Sequence, residues 1–364
     1  MTQDLTFQHL QSLGDSIRLC DSEVVDGDLV TLHHYSNCQE TSSDLLKQFR
    51  GVVFANNNLV MRGFPFTPEH IVTSPVCEPA NTVFPGSRFF DSFEGTIIRV
   101  FYHKKWFVST HKRLDASKSR WGTTESFEDI FRRGIDQIGT RFGKFNYETF
   151  FETLDKSRQY MFLVRNTQSN RIVSLAPHIN MPPVYHVGTY IDGVFNIDDD
   201  VGVPHPHEHK FENAEQLIQH ISTLNPLFCQ GIFVTGPQGF HKFVNGHYHT
   251  YAQLRGNEPN LTKRYLELRK LPSEIQPFLN LYQDSQKAFQ AVELSLQKIA
   301  RNIHSVYMKR FVLKQYAVVD PTRYGVLKKC HSVYQQTQAP VTLEVVWETL
   351  SREDPDSLYR MLVA

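Results

Sequence analysis

The residues best placed to do chemistry lie in the segment Ser92-Phe93-Glu94-Gly95-Thr96. A serine hydroxyl becomes a competent nucleophile only when a neighbouring base activates it, and no histidine lies near Ser92 in the sequence. The segment leads into an apolar run, turns at His103-Lys104-Lys105 and returns through a second apolar run, which predicts a β-hairpin. The sequence therefore predicts a hairpin that carries polar, chemistry-bearing residues at its ends.

This hairpin resembles the nucleotide-binding hairpin of the covalent nucleotidyltransferases, the superfamily of RNA ligases, DNA ligases and mRNA capping enzymes. In that superfamily a Lys-x-Asp/Glu-Gly strand start presents a lysine that attacks the α-phosphate of ATP or GTP. The position of that lysine is Ser92 here, whereas Glu94 and Gly95 keep the residue types of the superfamily. The resemblance implies a nucleotide-binding hairpin that has lost its attacking amine.

Further segments resemble motifs of the RNA ligases of the T-even bacteriophage type. An Arg-Gly strand start at Arg50 precedes the hairpin, and the corresponding arginine of those ligases contacts the nucleotide. Lys112 lies where they carry a basic residue near the triphosphate, and a solvated loop is the alternative. Lys242 is the first lysine of a Lys-x-Lys strand. The resemblance thus implies nucleotide binding by Arg50, Glu94, Gly95, Lys112 and Lys242.

Three other positions depart from the residues that act in the chemistry of these ligases. Val164, counted back from Asn170-Arg171-Ile172-Val173, stands where they have a glutamate for the ribose or a divalent metal. Gln230 replaces a metal-coordinating glutamate, and hard cations such as Mg²⁺ prefer carboxylate oxygen. Val244 replaces the second lysine of the last motif, although phosphoryl transfer relies on such cations. With Ser92, these positions form a degenerate catalytic set.

The losses favour a catalytically inactive RNA ligase-like protein, because catalytic residues act as a unit and the loss of one disables the others. We expect such a protein to act as an RNA- or nucleotide-binding module or as an assembly module, without a cofactor or metal. One alternative is an active RNA ligase that uses ATP and Mg²⁺, with Lys47, Lys104 or Lys112 supplying the amine. Another is a structural or virion-associated protein that binds protein partners and has no nucleotide affinity. The segment around STHKRLDASKSRWG is similar to RNA ligase-like proteins of large DNA viruses, which implies a viral source.

The pattern of predicted strands and helices around these residues indicates an α+β fold. The resemblance implies an antiparallel-sheet nucleotidyltransferase domain over residues 1–255. From residue 256 to 364 the pattern is helical, and in 285–311 apolar residues recur at spacings of three and four. The basic opposite face of that helix is either solvated or, as the resemblance implies, a surface for tRNA-like RNA. Helices are predicted over residues 5–19, 126–138, 145–154, 212–224, 261–270, 285–311, 322–336 and 343–350, and a loop is predicted over 64–86.

The composition is that of a folded protein whose net charge gives no strong overall attraction to nucleic acid. The 38 basic residues balance 38 acidic ones, so any contact with nucleic acid must be local. The five cysteines are scattered, which argues against disulfides and zinc. The alternating histidines of 205–209 favour an exposed turn over a metal site. The sequence lacks an apolar membrane span or signal-like start, and we expect a cytoplasmic location, in the host cytoplasm or in a virion if the source is viral.

Overall fold

The chain forms two compact units that join between Ala252 and Gln253 in this computed structural model. The structure describes residues 5–178 and 181–364. Three β-sheets and several helices build the first unit, and all elements described in the second unit are helical. The predicted α+β class, with antiparallel sheets followed by a helical C-terminal region, is confirmed. The predicted domain boundary after residue 255 lies at the end of the helix Gly246–Arg255.

The strands of the described residues are numbered in chain order. They are β1 (Ile17–Val25), β2 (Asp28–Tyr35), β3 (Arg50–Ala55), β4 (Asn58–Met61), β5 (Glu69–Val72), β6 (Arg88–Ser92), β7 (Gly95–His103), β8 (Lys105–Ser109), β9 (Gln159–Arg165), β10 (Val184–Ile191), β11 (Val194–Asn196), β12 (Glu208–His209), β13 (Gly231–Gly236) and β14 (Gly239–Asn245).

These strands form one four-stranded and two five-stranded sheets. The first sheet has the order β1-β2-β3-β4, the second β11-β10-β9-β7-β8 and the third β12-β6-β13-β14-β5. The pairs are antiparallel except β14 with β5, which run parallel. The predicted hairpin is present as β7 and β8, and the predicted turn at Asp192-Gly193 joins β10 to β11.

The α-helices are likewise numbered in chain order. They are α1 (Phe7–Leu13), α2 (Asp44–Gln48), α3 (Glu78–Val83), α4 (Phe127–Phe142), α5 (Tyr147–Phe150), α6 (Ala214–Thr223), α7 (Gly246–Arg255), α8 (Leu261–Leu268), α9 (Pro272–Leu281), α10 (Gln286–Tyr307), α11 (Tyr324–Thr337), α12 (Leu343–Ser351) and α13 (Pro355–Val363).

The second sheet packs against other elements on both faces, and most positions of its strands are apolar. One face packs against α4, whose buried residues recur at the helical period; they are Ile130, Phe131, Ile135 and Ile138. The other face packs against the first sheet through Phe101 and Met161. The third sheet instead packs against α3 and α6. Burial of each large apolar side chain contributes roughly 1.5–3 kcal/mol.

The chain crosses from the third sheet to the second between Ser92 and Gly95. Ser92 ends β6, and Gly95 begins β7, so only Phe93 and Glu94 link the two sheets here. Gly95 lies against β9, and a Cβ at this position would come within 2.2 Å of the Val164 carbonyl oxygen. Glycine is therefore required for the close approach of the backbones. The segment that the sequence singled out is thus the crossover between two sheets.

Two parts of the first unit differ from prediction. The first helix ends at Leu13 rather than near Leu19, because residues from Ile17 onward pair with β2. The segment 64–86, predicted to be loop, contains β5 and α3. The parallel partner of β5 is β14, far away in the sequence, so the local pattern could not reveal it. Proline in the first turn of α3 is compatible with a helix because the N–H there lacks an intrahelical partner anyway.

The helical unit contains the predicted long helix as α10. Its buried residues include Phe289, Leu296, Ile299 and Ile303, and it continues into a π-helical turn over Met308–Val312. The helices α9 and α13 were not predicted; each has a proline in its first turn, which can mark a helix start as well as a loop. None of the helices in the described ranges is both long and apolar enough to cross a membrane.

Candidate functional site

A pocket of about 560 Å³ lies beside the crossover between the two five-stranded sheets. Such a volume is in the range of sites that bind nucleotides and other small ligands. Among the positions predicted from the sequence, those that line it are Arg50, Ser92, Gly95, Gln230 and Lys242. The other lining residues are Tyr35, Phe64, Phe66, Thr67, Glu69, Phe90, Asp91, Phe93, Ile97, Leu163, Val187, Ile197, Pro206 and Phe233.

The register of the third sheet brings three predicted segments together. Strand β13 lies between β6 and β14, and Gly231 is opposite Ser92 on one side and Val244 on the other. Gln230 therefore lies beside Ser92, although 138 positions separate them in the sequence. Strand pairing alone explains why these segments share one site.

Ser92 is buried, and its hydroxyl contacts an amide rather than a base. The Nε2 of Gln230 donates to Ser92 Oγ at 3.2 Å and to the carbonyl oxygen of Phe93 at 2.7 Å. A carbonyl only accepts, so the second bond fixes the orientation of the Gln230 amide. None of the pocket residues, all of which belong to the described part of the chain, is a histidine. The pocket itself thus supplies no imidazole to activate Ser92.

The two cations of the pocket differ in their surroundings. Lys242 Nζ lies 3.0 Å from Glu69 Oε1, because the parallel pairing of β14 with β5 sets the two residues side by side. Arg50 enters the pocket from the start of β3. Glu69 was not predicted, since its partnership with Lys242 spans 173 positions. An anionic ligand would compete with Glu69 for Lys242.

Aromatic side chains form much of the remaining pocket wall. Phe93 is held firmly: its ring stacks on Tyr185 with centroids 4.8 Å apart, and the Arg165 guanidinium lies 4.8 Å from its centroid. Burial raises the pKa of Tyr185, so this phenol stays neutral at physiological pH. The partly exposed aromatic residues of the lining, which are Tyr35, Phe64, Phe66 and Phe233, offer flat surfaces on which a nucleobase can stack. Motif comparison missed them, because aromatic residues are common in any core.

Glu94, predicted to bind nucleotide, instead serves the protein itself. Its side chain is buried and is not among the lining residues of the pocket. The donors to its carboxylate are the backbone N–H groups of Ile172 (2.6 Å), Val173 (2.7 Å) and Ser174 (2.9 Å), the Asn166 amide (2.7 Å) and the Tyr248 hydroxyl (3.0 Å). A carboxylate that accepts five hydrogen bonds is a structural anchor. The geometry therefore gives Glu94 a positioning role.

Val164 was predicted to replace a pocket carboxylate, and its orientation contradicts this. Residues 162 and 164 of β9 face α4, where Val164 packs in the core with Phe131 and Phe162. The adjacent Leu163 faces the pocket. Because side chains alternate along a strand, a carboxylate at position 164 would lie on the far side of the sheet. The pocket-facing residue of this strand is therefore aliphatic Leu163.

Val244 and Lys112 do not line the pocket either. Val244 is buried in β14 two positions after Lys242, on the same face of the strand. Lys112 is exposed in the turn after β8, and its backbone N–H lies 3.4 Å from Thr110 Oγ1. It follows His111, whose backbone lies against Gly51 of β3.

The lysines considered as alternative nucleophiles lie elsewhere. Lys47 pairs with Asp44 at 3.3 Å and lines a separate cavity of about 820 Å³. Lys104 pairs with Asp28 at 2.8 Å in the hairpin turn. Among the described residues, Lys242 is the lysine that lines the pocket at Ser92.

The donor set of the pocket does not fit a Mg²⁺ ion. Its two carboxylates, Glu69 and Asp91, are paired with Lys242 and with His209 Nε2 at 2.8 Å. Gln230 offers an amide whose nitrogen, not oxygen, is turned toward Ser92. In the described ranges, no group of three His, Cys, Asp or Glu side chains is arranged to hold a metal. The histidines of 205–209 lie in and beside β12, where His205 Nδ1 contacts the His186 carbonyl at 3.1 Å.

The chain is similar to viral immediate-early proteins. It is 29% identical to the immediate-early protein ICP-46 homolog of Invertebrate iridescent virus 6, over 91% of this chain and 80% of that protein. The homolog of Invertebrate iridescent virus 3 is 31% identical over 60% of this chain and 48% of the relative. Immediate-early protein ICP-46 of Frog virus 3 is 21% identical over 65% of this chain and 62% of that protein. No family model matches the chain.

Among solved structures, the chain is similar to two of an archaeal ATP-dependent RNA ligase, described as form 2 and form 1. Both comparisons give a TM-score of 0.43 and cover 97% of this chain and 77% of the ligase chain. The sequence identities are 9% and 10%.

Proposed function

We propose that this protein is a catalytically inactive RNA ligase-like module that binds a nucleotide or an RNA end in the pocket at Ser92. The observation that carries the proposal is the convergence of Arg50, Ser92, Gln230 and Lys242 on one pocket with no lysine at position 92. These residues come from separate segments and meet only in the fold. We also propose a viral, intracellular role, which the similarity to viral proteins supports.

The walls of the pocket suit a nucleotide in both shape and charge. Arg50 and Lys242 offer cations for phosphate, and the aromatic walls offer stacking surfaces for a base. Lys242 is already paired with Glu69, and a bound phosphate would have to replace this ion pair. The binding free energy therefore includes only the difference between the Lys242–phosphate and Lys242–Glu69 interactions. We therefore expect modest affinity rather than tight binding.

The contacts of Ser92 support the proposal of an inactive module. A covalent nucleotidyl intermediate needs an amine in line with the α-phosphate, and Ser92 offers a hydroxyl that is bonded to an amide. Lys242 is the remaining amine of the pocket, and its Nζ is paired with Glu69 Oε1 at 3.0 Å. An active enzyme would have to use Lys242.

The test combines binding and adduct formation. The protein is incubated with α-labelled ATP or GTP and Mg²⁺, then denatured and assayed for retained label, while binding is measured by calorimetry. We expect binding without a covalent adduct, and weaker binding by Lys242→Met. Lys104→Met is the matched control, because Lys104 lies outside the pocket in the hairpin turn.

Other outcomes assign other functions. A labelled adduct that disappears in Lys242→Met identifies an active nucleotidyltransferase and rejects the inactive module. Neither binding nor a thermal shift with ATP, GTP or RNA identifies a structural, partner-binding protein, because a ligand specific to the folded state must stabilise it.

We propose the helical unit as the additional surface for RNA. The basic residues of and near α10 are all exposed; they are Lys287, Lys298, Arg301, Lys309 and Arg310. Binding of a labelled tRNA-like RNA should fall when Lys309 and Arg310 are both replaced by glutamine. Replacement of Lys156 and Arg158 by glutamine, in the first unit, provides the comparison.

A further inference from the structure

The cavity of about 820 Å³ that Lys47 lines is a second concave site in the first unit. Its walls come from α2, from the segment after β4, from β10 and β11 and from the hairpin of β13 and β14. It shares the side chain of Phe66 with the pocket at Ser92. Its volume is in the range of sites that enclose small organic ligands. The proposed function makes no use of this cavity.

The cavity contains a buried cation, Arg62, that has no acceptor. Arg62 follows β4 and is only 5% exposed, and its backbone N–H donates to Gln159 Oε1 at 2.8 Å. Its Nε is buried without a hydrogen-bond partner, and its guanidinium pairs with no carboxylate of the described residues. Burial of an unpaired charge is unfavourable. An anionic ligand in the cavity would supply the missing partner.

The contact that Arg62 does make leaves its N–H groups available. Its Cζ lies 5.5 Å from the centroid of the Tyr190 ring. A ring face attracts a cation but accepts no hydrogen bond in the plane of the guanidinium. The planar fork of an arginine matches the two oxygens of a carboxylate. The geometry of Arg62 therefore suits a carboxylate group.

The other basic side chains of the cavity already have partners. Lys47 Nζ is 3.3 Å from Asp44 Oδ1. The Nδ1 of His241 contacts His70 Nε2 at 3.1 Å, and its Nε2 lies 3.2 Å from a carbonyl oxygen of the turn between β13 and β14. Among the described residues that line the cavity, Arg62 is thus the cation left for a ligand.

The rim of the cavity carries negative charge. Glu40 and Asp44 both line the cavity, and both are exposed. Because Coulomb repulsion grows with the charge of the ligand, these carboxylates oppose a phosphate dianion or a triphosphate more than a single carboxylate. The charges therefore favour a ligand with one negative group, placed at Arg62.

Aromatic rings provide an apolar wall beside Arg62. The ring of Phe195 lies between those of Tyr190 and Phe240, with centroids 5.7 Å and 4.8 Å away, and all three residues line the cavity. Such rings bury flat apolar groups efficiently and favour edge or stacked contacts with other rings. The wall predicts that the body of the ligand is apolar and flat.

We infer that this cavity binds a small organic acid, whose single carboxylate pairs with Arg62 and whose flat apolar body packs on Tyr190, Phe195 and Phe240. The inference is independent of the proposed function, because Arg62 does not line the pocket at Ser92. The same chemistry occurs in a free aromatic acid and at the C-terminus of a peptide that ends in an aromatic residue. The experiment distinguishes these two sources.

The test compares four probes that differ in charge and in apolar body. Phenylacetate, phenylacetamide, acetate and phenyl phosphate are titrated into the full chain, and binding is followed by ligand-observed NMR. We expect phenylacetate to bind at least about tenfold more tightly than phenylacetamide, which lacks the charge. Acetate lacks the body and phenyl phosphate carries a second charge, so both should bind more weakly than phenylacetate.

A matched pair of variants tests the role of Arg62. Arg62→Met should weaken phenylacetate at least about tenfold. It should also leave the melting temperature of the unliganded protein unchanged or higher, because it removes an unpaired buried charge. Arg141→Met removes an exposed arginine that lies 5.8 Å from the Phe142 ring, outside the cavity, and should change affinity less than about twofold.

The outcomes separate this inference from the proposed function. Equal binding of phenylacetate and phenylacetamide, tighter binding of phenyl phosphate, or displacement of phenylacetate by AMP overturns the inference, and these comparisons on the unaltered protein do not depend on the folding of a variant. Unaltered affinity in Arg62→Met also overturns it. Binding of AMP without phenylacetate overturns it while the nucleotide pocket stands.

A peptide with a C-terminal phenylalanine identifies the source of the carboxylate. The peptide is compared with its C-terminal amide and with phenylacetate, in the unaltered protein and in Arg62→Met. Tighter binding of the free-acid peptide than of phenylacetate, lost in Arg62→Met, supports the inference and assigns a chain end to the cavity. Tighter binding of phenylacetate supports the inference and assigns a free organic acid.

Discussion

The side-chain amide nitrogen of Gln230 lies 3.2 Å from the hydroxyl oxygen of Ser92, at the point where the chain passes from the third β-sheet to the second. The resemblance found in the sequence predicts that both residues replace charged groups, a lysine and a glutamate. In the structure the two side chains are neutral, buried and hydrogen-bonded to each other, so they are compatible with each other in one site.

The first prediction concerns this pair. Gln230→Glu removes the donor to the Phe93 carbonyl and sets two acceptors against each other, so the free energy of unfolding should fall by about 2 kcal/mol. Urea unfolding measures it. Gln238→Glu makes the same chemical change at an exposed turn and should stay within about 0.5 kcal/mol of the wild type. Equal stability of both variants would contradict the hydrogen bond to Phe93.

The second prediction concerns the anchor at Glu94. Glu94→Gln should lower the free energy of unfolding by about 3 kcal/mol, because the amide has one acceptor oxygen for the donors that the carboxylate now satisfies. Glu215→Gln on the exposed side of α6 is the control. If Glu94→Gln keeps full stability but loses nucleotide binding, Glu94 is a ligand residue after all.

The third prediction concerns acid stability. Burial lowers the pKa of His186 and of His111 to about 3. Below about pH 6.5 these histidines are therefore protonated in the unfolded chain but remain neutral in the folded chain. Stability should therefore fall as the pH drops from about 6.5 toward 3, with a slope of up to about 1.4 kcal/mol per pH unit from each buried histidine. Urea unfolding at pH 7.5, 6.0 and 5.0 measures the slope.

The control for acid stability is a histidine in a different environment. His111→Gln should reduce the slope, whereas the same change at exposed His247 should leave it unaltered. An unchanged slope in His111→Gln would mean that His111 titrates normally in the folded protein.

The fourth prediction concerns the competition for Lys242. Glu69→Gln frees the ammonium group for phosphate, so ATP affinity should rise by up to about fivefold, which is the range of a half-exposed ion pair. Calorimetry measures the change, and Glu40→Gln serves as the control. A loss of affinity in Glu69→Gln would show that Glu69 contacts the ligand directly.

The sequence was informative where a motif lies within one strand. The hairpin of β7 and β8 follows from its apolar runs and turn, and the strand starts at Arg50 and Gly231 are where the motifs indicate. Such segments carry their own alternation of side chains, so their strand character can be derived locally. Their convergence on one pocket depended on the family resemblance rather than on any local pattern.

The remainder depends on contacts between distant segments. A difference of one residue decides which side chain of β9 faces the pocket. Leu163 faces it, whereas the adjacent Val164 faces the opposite side of the sheet. The partnership of Lys242 with Glu69 requires a parallel strand pair that no local pattern predicts. Glu94 has the residue type of the motif, yet its carboxylate accepts hydrogen bonds from a loop that is distant in the sequence, for example from the Val173 N–H. Its structural role therefore could not be predicted from the motif.

The two-residue link between Ser92 and Gly95 has a mechanical consequence. A ligand held in the pocket touches strands on both sides of this link, so its binding would tie the two sheets into one cooperative block. Amide hydrogen exchange should then slow in β5 and in β8 together, although neither edge strand lies next to the other in any sheet. The occupied pocket would in this way stabilise the junction between the two sheets.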